Sequence, residues 1–408
     1  MKDNNVSRRD FVKTLGVMGI GSMVSAGQGL AQTMAPPDAT APALINVKPV
    51  PRRTFGRTGV KVPILALGGI FDVASNQLVV KQAHDWGVTY WDTATSYNGG
   101  KSEQGYGMYL EKNPQARKDI FLVTKSGGNL EAMTNALNQS LEKLKTDYID
   151  LYFKHGLSDT SELNDDVKAW VEKAKADKKI HFFGFSTHSN MENCLQGAAK
   201  LGWIDGIMLK YDFRIMQTDA MKAAMDAATQ AGIGLTAMKT QGGATIKTET
   251  EADLKMGGHF IQRGFTQHQA KLKALWENPQ IATICSQMPN TTVLQANIAA
   301  ALDKTALTAQ DHAALREYAA ATRSRQCAGC TRFCEAAPGH QAPIGDVMRA
   351  LMYHRSYGDH ELARTTFRQL PETARRGLAG FDYAAAERAC PNGLPIAQLM
   401  REAGEMFA

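Results

Sequence analysis

Eight short apolar runs punctuate the chain, at 64–68, 88–91, 120–124, 148–153, 181–185, 206–209, 233–237 and 281–284. Helical patterning lies between them, near 76–86, 102–111, 130–144, 164–176, 191–201 and 219–231, and again near 265–277 after a longer connection. Repeated strand–helix alternation predicts a parallel sheet with helical crossovers. Eight such units predict an α/β fold, a closed (β/α)8 barrel of the TIM type. Ahead of it, 52–56 and 60–62 flank Arg57-Thr58-Gly59 and read as an N-terminal β-hairpin. The connection over 240–256 is polar and reads as a loop on the active face.

Three successive strands end in titratable side chains. The run at 88–91 is followed by Asp92, with Tyr97 five residues on; 120–124 is followed by Lys125; 148–153 is followed by Lys154 and His155. In a parallel barrel these ends share one face, where active sites sit. An ordinary tyrosine titrates near pH ~10 and is a poor acid at neutral pH. A neighbouring ammonium favours its phenolate, a carboxylate holds that ammonium in place, and an imidazole orients a substrate oxygen. The set therefore predicts a general acid/base aimed at a carbonyl or alcohol oxygen.

Asp92, Tyr97, Lys125 and His155 match in order the tetrad of the aldo-keto reductases, which the chain resembles from about Arg53 to about Tyr318. In that family the hairpin closes the barrel floor. The resemblance implies NAD(P)(H) as cofactor, with NADP the more typical, and a small carbonyl or alcohol substrate. It carries Ser186 to the nicotinamide carboxamide and Tyr211 to the nicotinamide ring. Where the family places a glutamine, this chain has Met208, followed by Lys210. Thr187-His188 stands where the usual asparagine would, a variant of the family's iron–sulfur-bearing branch. Lys239 and Gly242, after the seventh strand, offer a cation and backbone N–H groups to a pyrophosphate. Ser286, Asn290 and Asn297 lie where the family binds the adenosine half, and Asn290 or Thr291 can cap the helix there. No arginine marks a 2′-phosphate in this turn, so NAD and NADP both stay open.

Six cysteines are too few for a disulfide scaffold in 408 residues. Four gather late, as Cys327-x2-Cys330-x3-Cys334 and, far downstream, Cys390-Pro391. A tight triplet plus a distant Cys-Pro suits a [4Fe-4S] cluster; two disulfides or a zinc ion are the alternatives. With helices near 344–354 and 360–368, the stretch 321–408 resembles the small helical iron–sulfur extension of some aldo-keto reductases. Cys194 and Cys285 lie in helix and strand patterns and read as core thiols.

Ser7-Arg8-Arg9-Asp10-Phe11 precedes a glycine-rich apolar run and small residues at 29–31. This resembles a twin-arginine signal, which predicts export by that machinery, periplasmic residence and a removed segment over 1–31. The run is too short for a stable membrane anchor. Residues 32–51 read as a linker and 52–320 as the barrel domain. The net charge of +6 is spread along the chain with no basic–aromatic block, so nucleic acid is not a predicted partner. The sequence thus predicts an exported oxidoreductase coupled to a redox partner. A barrel that only binds ligand or carries electrons, and an isomerase or lyase with trapped nicotinamide, remain as rivals.

Overall fold

A computed structural model describes residues 49–246, 250–339 and 341–407. The export signal at 1–31 and most of the 32–51 linker lie outside the described residues. Strands β1 (Arg52–Thr54) and β2 (Lys61–Pro63) form the expected antiparallel hairpin, with Arg52 opposite Pro63. The barrel strands are β3 (Leu65–Gly68), β4 (Tyr90–Asp92), β5 (Phe121–Ser126), β6 (Ile149–Lys154), β7 (Ile180–Thr187), β8 (Gly206–Lys210), β9 (Gly234–Met238) and β10 (Ile281–Gln287). Each pairs in parallel with the next, and β10 closes on β3.

Both strand faces are buried, which is why the runs read as continuously apolar. Phe121, Val123, Leu151 and Phe153 fill the lumen, while Trp91, Leu122, Tyr152 and Ile207 face the helices. Phe55, carried by the hairpin, plugs the floor and is fully buried. Its ring lies so close to β8 and β9 that a Cβ added at Gly234 would come within 2.4 Å of it. One end of the barrel is therefore sealed, and chemistry is confined to the other.

The outer layer comprises α1 (Gln77–Asp85), α2 (Lys101–Lys112), α3 (Leu130–Leu144), α4 (Asp165–Ala176), α5 (Met191–Leu201), α6 (Asp219–Gln230), α7 (Glu251–Gln262), α8 (Gln267–Trp276) and α9 (Thr291–Leu302). Local capping sets several starts: the Asn129, Asn164 and Asn290 side chains accept from the Ala132, Val167 and Val293 N–H groups. Helix α7 corrects the loop expected over 240–256. A Thr250–Asp253 capping box starts it, and only Met256 and Phe260 are buried, so its apolar signal is faint.

Beyond α10 (Ala309–Ala321) the chain forms α11 (Thr331–Cys334), α12 (Ile344–Met352), a π-helical turn Tyr353–Tyr357, α13 (His360–Arg368), α14 (Glu372–Gly377), α15 (Ala384–Ala389) and α16 (Ile396–Phe407). Val347, Met348, Leu351, Phe367, Leu399 and Met400 give this extension its own core. It packs on the open barrel end. Ser356 Oγ donates to the Ala244 carbonyl at 2.6 Å, Arg355 donates to the Thr245 carbonyl at 3.2 Å, and Lys210 Nζ donates to the Cys327 carbonyl at 2.5 Å. No helix among the described residues is long and apolar enough to cross a membrane.

Candidate active site

Asp92, Tyr97, Lys125 and His155 meet at the open end of the barrel. Asp92 ends β4 and Lys125 lies in β5; both are buried. Lys125 Nζ donates to both Asp92 carboxylate oxygens, at 2.6 and 2.8 Å, and to the Thr93 carbonyl at 2.8 Å. An ammonium has three donors, so all of them are used. Tyr97 lies above, its ring centroid 4.7 Å from Lys125 Nζ. Lys125 thus acts on the phenol by charge through the ring face, not by a hydrogen bond. The His155 ring stands edge-on to Tyr97, with centroids 5.9 Å apart and planes at 81°.

The electrostatics correct one expectation. Burial, reinforced by the Asp92 charge, pushes the Tyr97 phenol well above its ordinary value, not below it. Burial also pushes the Asp92 carboxyl up, opposed by Lys125. Loss of water and the cations Lys125, Arg349 and Lys239 hold His155 well below the usual imidazole range. Tyr97 is therefore a protonated donor beside a neutral imidazole.

The cofactor residues divide. Ser186 is buried at the inner end of β7, its Oγ accepting from the Gly156 N–H at 3.1 Å. Lys239 reaches the mouth; Gly242 lies in the following turn at φ +63°, against Phe213 and Arg214. Tyr211 does not reach the mouth. It packs in the layer between barrel and helices, with its hydroxyl accepting from Asn278 Nδ2 at 3.0 Å. Alternation along a strand explains this: Met208 faces the lumen, so a position of opposite parity faces out. The inward position ending β9 is Met238, which sequence reading passed over. Ser286 likewise points outward, accepting from Asn297 Nδ2 at 3.0 Å. Asn290 caps α9 beside them. Cys285 packs against the lumen core and also lines the mouth with Asp92 and Tyr97. Cys194 is buried, as expected.

The extension adds groups that sequence reading missed. Lys239 Nζ lies 4.4 Å from the Tyr353 ring centroid and 5.1 Å from that of Tyr357. Tyr357 joins Tyr97, Met208 and Met238 around a space of about 60 Å³. Tyr353 and Tyr357 thus cover Lys239 at the mouth.

Cys327, Cys330, Cys334 and Cys390 line a single cavity with Phe333, Ile344 and Met348. No described cysteine is in a disulfide. Among the described residues, no three Cys, His, Asp or Glu side chains gather as a single metal ion requires. Burial pushes the Cys330 thiol to about 11 and the Cys334 thiol to about 12.

A sealed floor, parallel strands and acid/base groups at the strand C-termini define a (β/α)8 barrel with its candidate site at the open end. A family model described as the aldo/keto reductase family matches residues 68–285, and the chain belongs to that family. It is 30% identical over 175 residues to aldo-keto reductase yakc (NADP(+)) of Schizosaccharomyces pombe, covering 40% of this chain and 49% of that protein. It is 23% identical over 157 residues to L-glyceraldehyde 3-phosphate reductase of Escherichia coli K12, covering 34% and 45%. The chain thus spans about half the length of the curated relatives it matches. Aldo-keto reductase AKR11C1 from Bacillus halodurans (holo form) shares the fold, with TM-score 0.53 and 21% identity over 66% of this chain and 96% of that one.

Proposed function

We propose that the protein is an aldo-keto reductase-type oxidoreductase interconverting a carbonyl and an alcohol, with Tyr97 as the general acid/base. The observation that carries this reading is the buried Asp92–Lys125 pair beneath Tyr97, with His155 edge-on to the same ring. In reduction the Tyr97 hydroxyl gives its proton to the carbonyl oxygen. Neutral His155 orients that oxygen, and Lys125, fixed by Asp92, offsets the charge left on the phenolate. A nicotinamide nucleotide is the hydride source that family membership implies. Ser186, Gly242, Asn290 and Asn297 are its candidate contacts once the Tyr357 side chain swings aside. The test is NADPH- or NADH-dependent reduction of an aldehyde panel, abolished in Tyr97→Phe; full turnover in that variant overturns the assignment.

The cysteine cavity supports a [4Fe-4S] cluster held by Cys327, Cys330, Cys334 and Cys390. Tetrahedral zinc, with Zn–S bonds of ~2.3 Å, draws its sulfurs tightly together. A cluster gives each thiolate its own iron and tolerates wider spacing. Such a group supplies one-electron transfer to a redox partner. Iron and sulfide analysis of anaerobically purified protein tests it, and stoichiometric zinc refutes it. Export through the twin-arginine machinery to the periplasm follows from Arg8 and Arg9 and is tested by periplasmic fractionation of an Arg8→Lys/Arg9→Lys variant. The covered mouth favours one rival, a barrel that binds ligand without nucleotide turnover. Failure of both nucleotides to bind wild type and Tyr357→Ala would select it.

A further inference from the structure

The mouth holds more positive charge than the acid/base set uses. Beside it lies a second, smaller space of about 30 Å³, bordered by His188, Lys210, Lys239, Met348 and Arg349. Lys239 lines both spaces. Three cations from three elements therefore line one partly open space: the end of β8, the turn after β9, and α12.

The carboxylates nearby balance only part of this charge. Asp92 is held by Lys125. Asp346 takes Arg349 at 2.9 Å on a partly exposed edge. Glu335 accepts from the Gly345 N–H. Lys210 meets a backbone carbonyl, and Lys239 has two phenol rings but no carboxylate within ion-pair distance among the described residues. An independent sign of a missing ligand is His188. Its Nδ1 atom is buried and has no hydrogen-bond partner among the described residues. A buried polar atom without a partner is uncommon, and an enclosed anion would supply one.

The geometry points to an anion-binding subsite formed jointly by the barrel and the C-terminal extension, which holds a carboxylate on a short substrate whose carbonyl faces Tyr97. This rests on the reading of Tyr97 as the acid and names the class of substrate: an aldehyde or ketone bearing a carboxylate. Arg349 and Lys239 supply the charge and the His188 Nδ1–H a directed donor. The space is half that beside Tyr97, which suits a carboxylate better than a pyrophosphate. Lys239 lines both spaces, so anchor and reacting oxygen lie on either side of one side chain. Because α12 forms one wall, the subsite is complete only when the extension is seated.

The test uses the full protein and two aldehydes of matched length, succinic semialdehyde and butyraldehyde, with succinate and 1,4-butanediol as unreactive probes. Calorimetry should detect succinate and not the diol, and kcat/KM should favour succinic semialdehyde at least tenfold. Arg349→Gln should abolish succinate binding and collapse that preference. His188→Leu should weaken binding less, and melting curves check that both variants fold. Equal turnover of the two aldehydes, or succinate binding unchanged in both variants, overturns the subsite and leaves the oxidoreductase reading intact. Succinate binding lost in Arg349→Gln, with no turnover of either aldehyde, upholds the subsite and refutes the oxidoreductase reading instead.

Discussion

Tyr97 lies 4.7 Å from Lys125 and its phenol is pushed well above the ordinary range, whereas Tyr353 lies 4.4 Å from Lys239 and its phenol is drawn below it. Both pairs are at the barrel mouth, one built by the strands and the other shared with the extension. Burial acts upward on both phenols. The difference is what each ammonium already holds. Lys125 gives all three donors to Asp92 and Thr93, so Asp92 offsets most of its charge while Tyr97 is neutral. Lys239 has no such carboxylate and hydrogen-bonds the Tyr353 hydroxyl directly, and Arg349 adds a second cation on the Tyr353 side. Proximity to a lysine does not acidify a phenol; an unbalanced lysine does.

The comparison is broken most forcefully by removing each hydroxyl in turn. Tyr97→Phe should lower aldehyde turnover by roughly 10²–10⁴, the usual span for a general acid. Tyr353→Phe should cost less than about tenfold in the same steady-state assay. Equal losses would erase the distinction between the pairs. Next in size is Asp92→Asn, which leaves a buried ammonium unbalanced. Denaturant unfolding should show a loss of roughly 3–5 kcal/mol, typical of breaking one partner of a buried pair. The Tyr97 phenol should then titrate lower, approaching Tyr353.

Tyr357→Ala sharpens the contrast by opening the space between the pairs. Nucleotide affinity, followed by fluorescence titration, should improve about tenfold, or ~1.4 kcal/mol. Unchanged affinity would mean that the turn does not cover the nucleotide path. The smallest effect concerns acid. His155 and His188 are both held well below the ordinary value of ~6.5 by burial and by cations around the mouth. The unfolded chain therefore binds more protons than the folded one once pH falls below ~6.5, and stability declines with acidification. Melting temperature should drop between pH 7.5 and 5.5, and His155→Phe should flatten that slope.

Much of this was legible in the chain because barrel strands are buried on both faces and read as apolar runs. The four acid/base residues were legible because each lies within a few residues of the end of such a run. Tyr211 was misplaced because inward and outward positions alternate along a strand, so a one-residue error moves a side chain from lumen to helix layer. Ser286 is a second residue of that kind. Helix α7 was hidden by its weak apolar face, although the Thr250–Asp253 spacing announced its start. Tyr353 and Tyr357 are four apart and so share a helix face, but nothing local told that this face would meet Lys239. That contact joins residues more than a hundred positions apart.

The most direct measurement is an NMR titration of protein carrying ¹³Cζ-labelled tyrosine, in wild type, Tyr97→Phe and Tyr353→Phe, from neutral to alkaline pH. The account predicts that the resonance missing from Tyr353→Phe ionises first, while the one missing from Tyr97→Phe stays protonated beyond the ordinary tyrosine value of ~10. If the Tyr97 resonance ionises first, Lys125 is acidifying it after all, and Tyr97 is not held as the protonated acid.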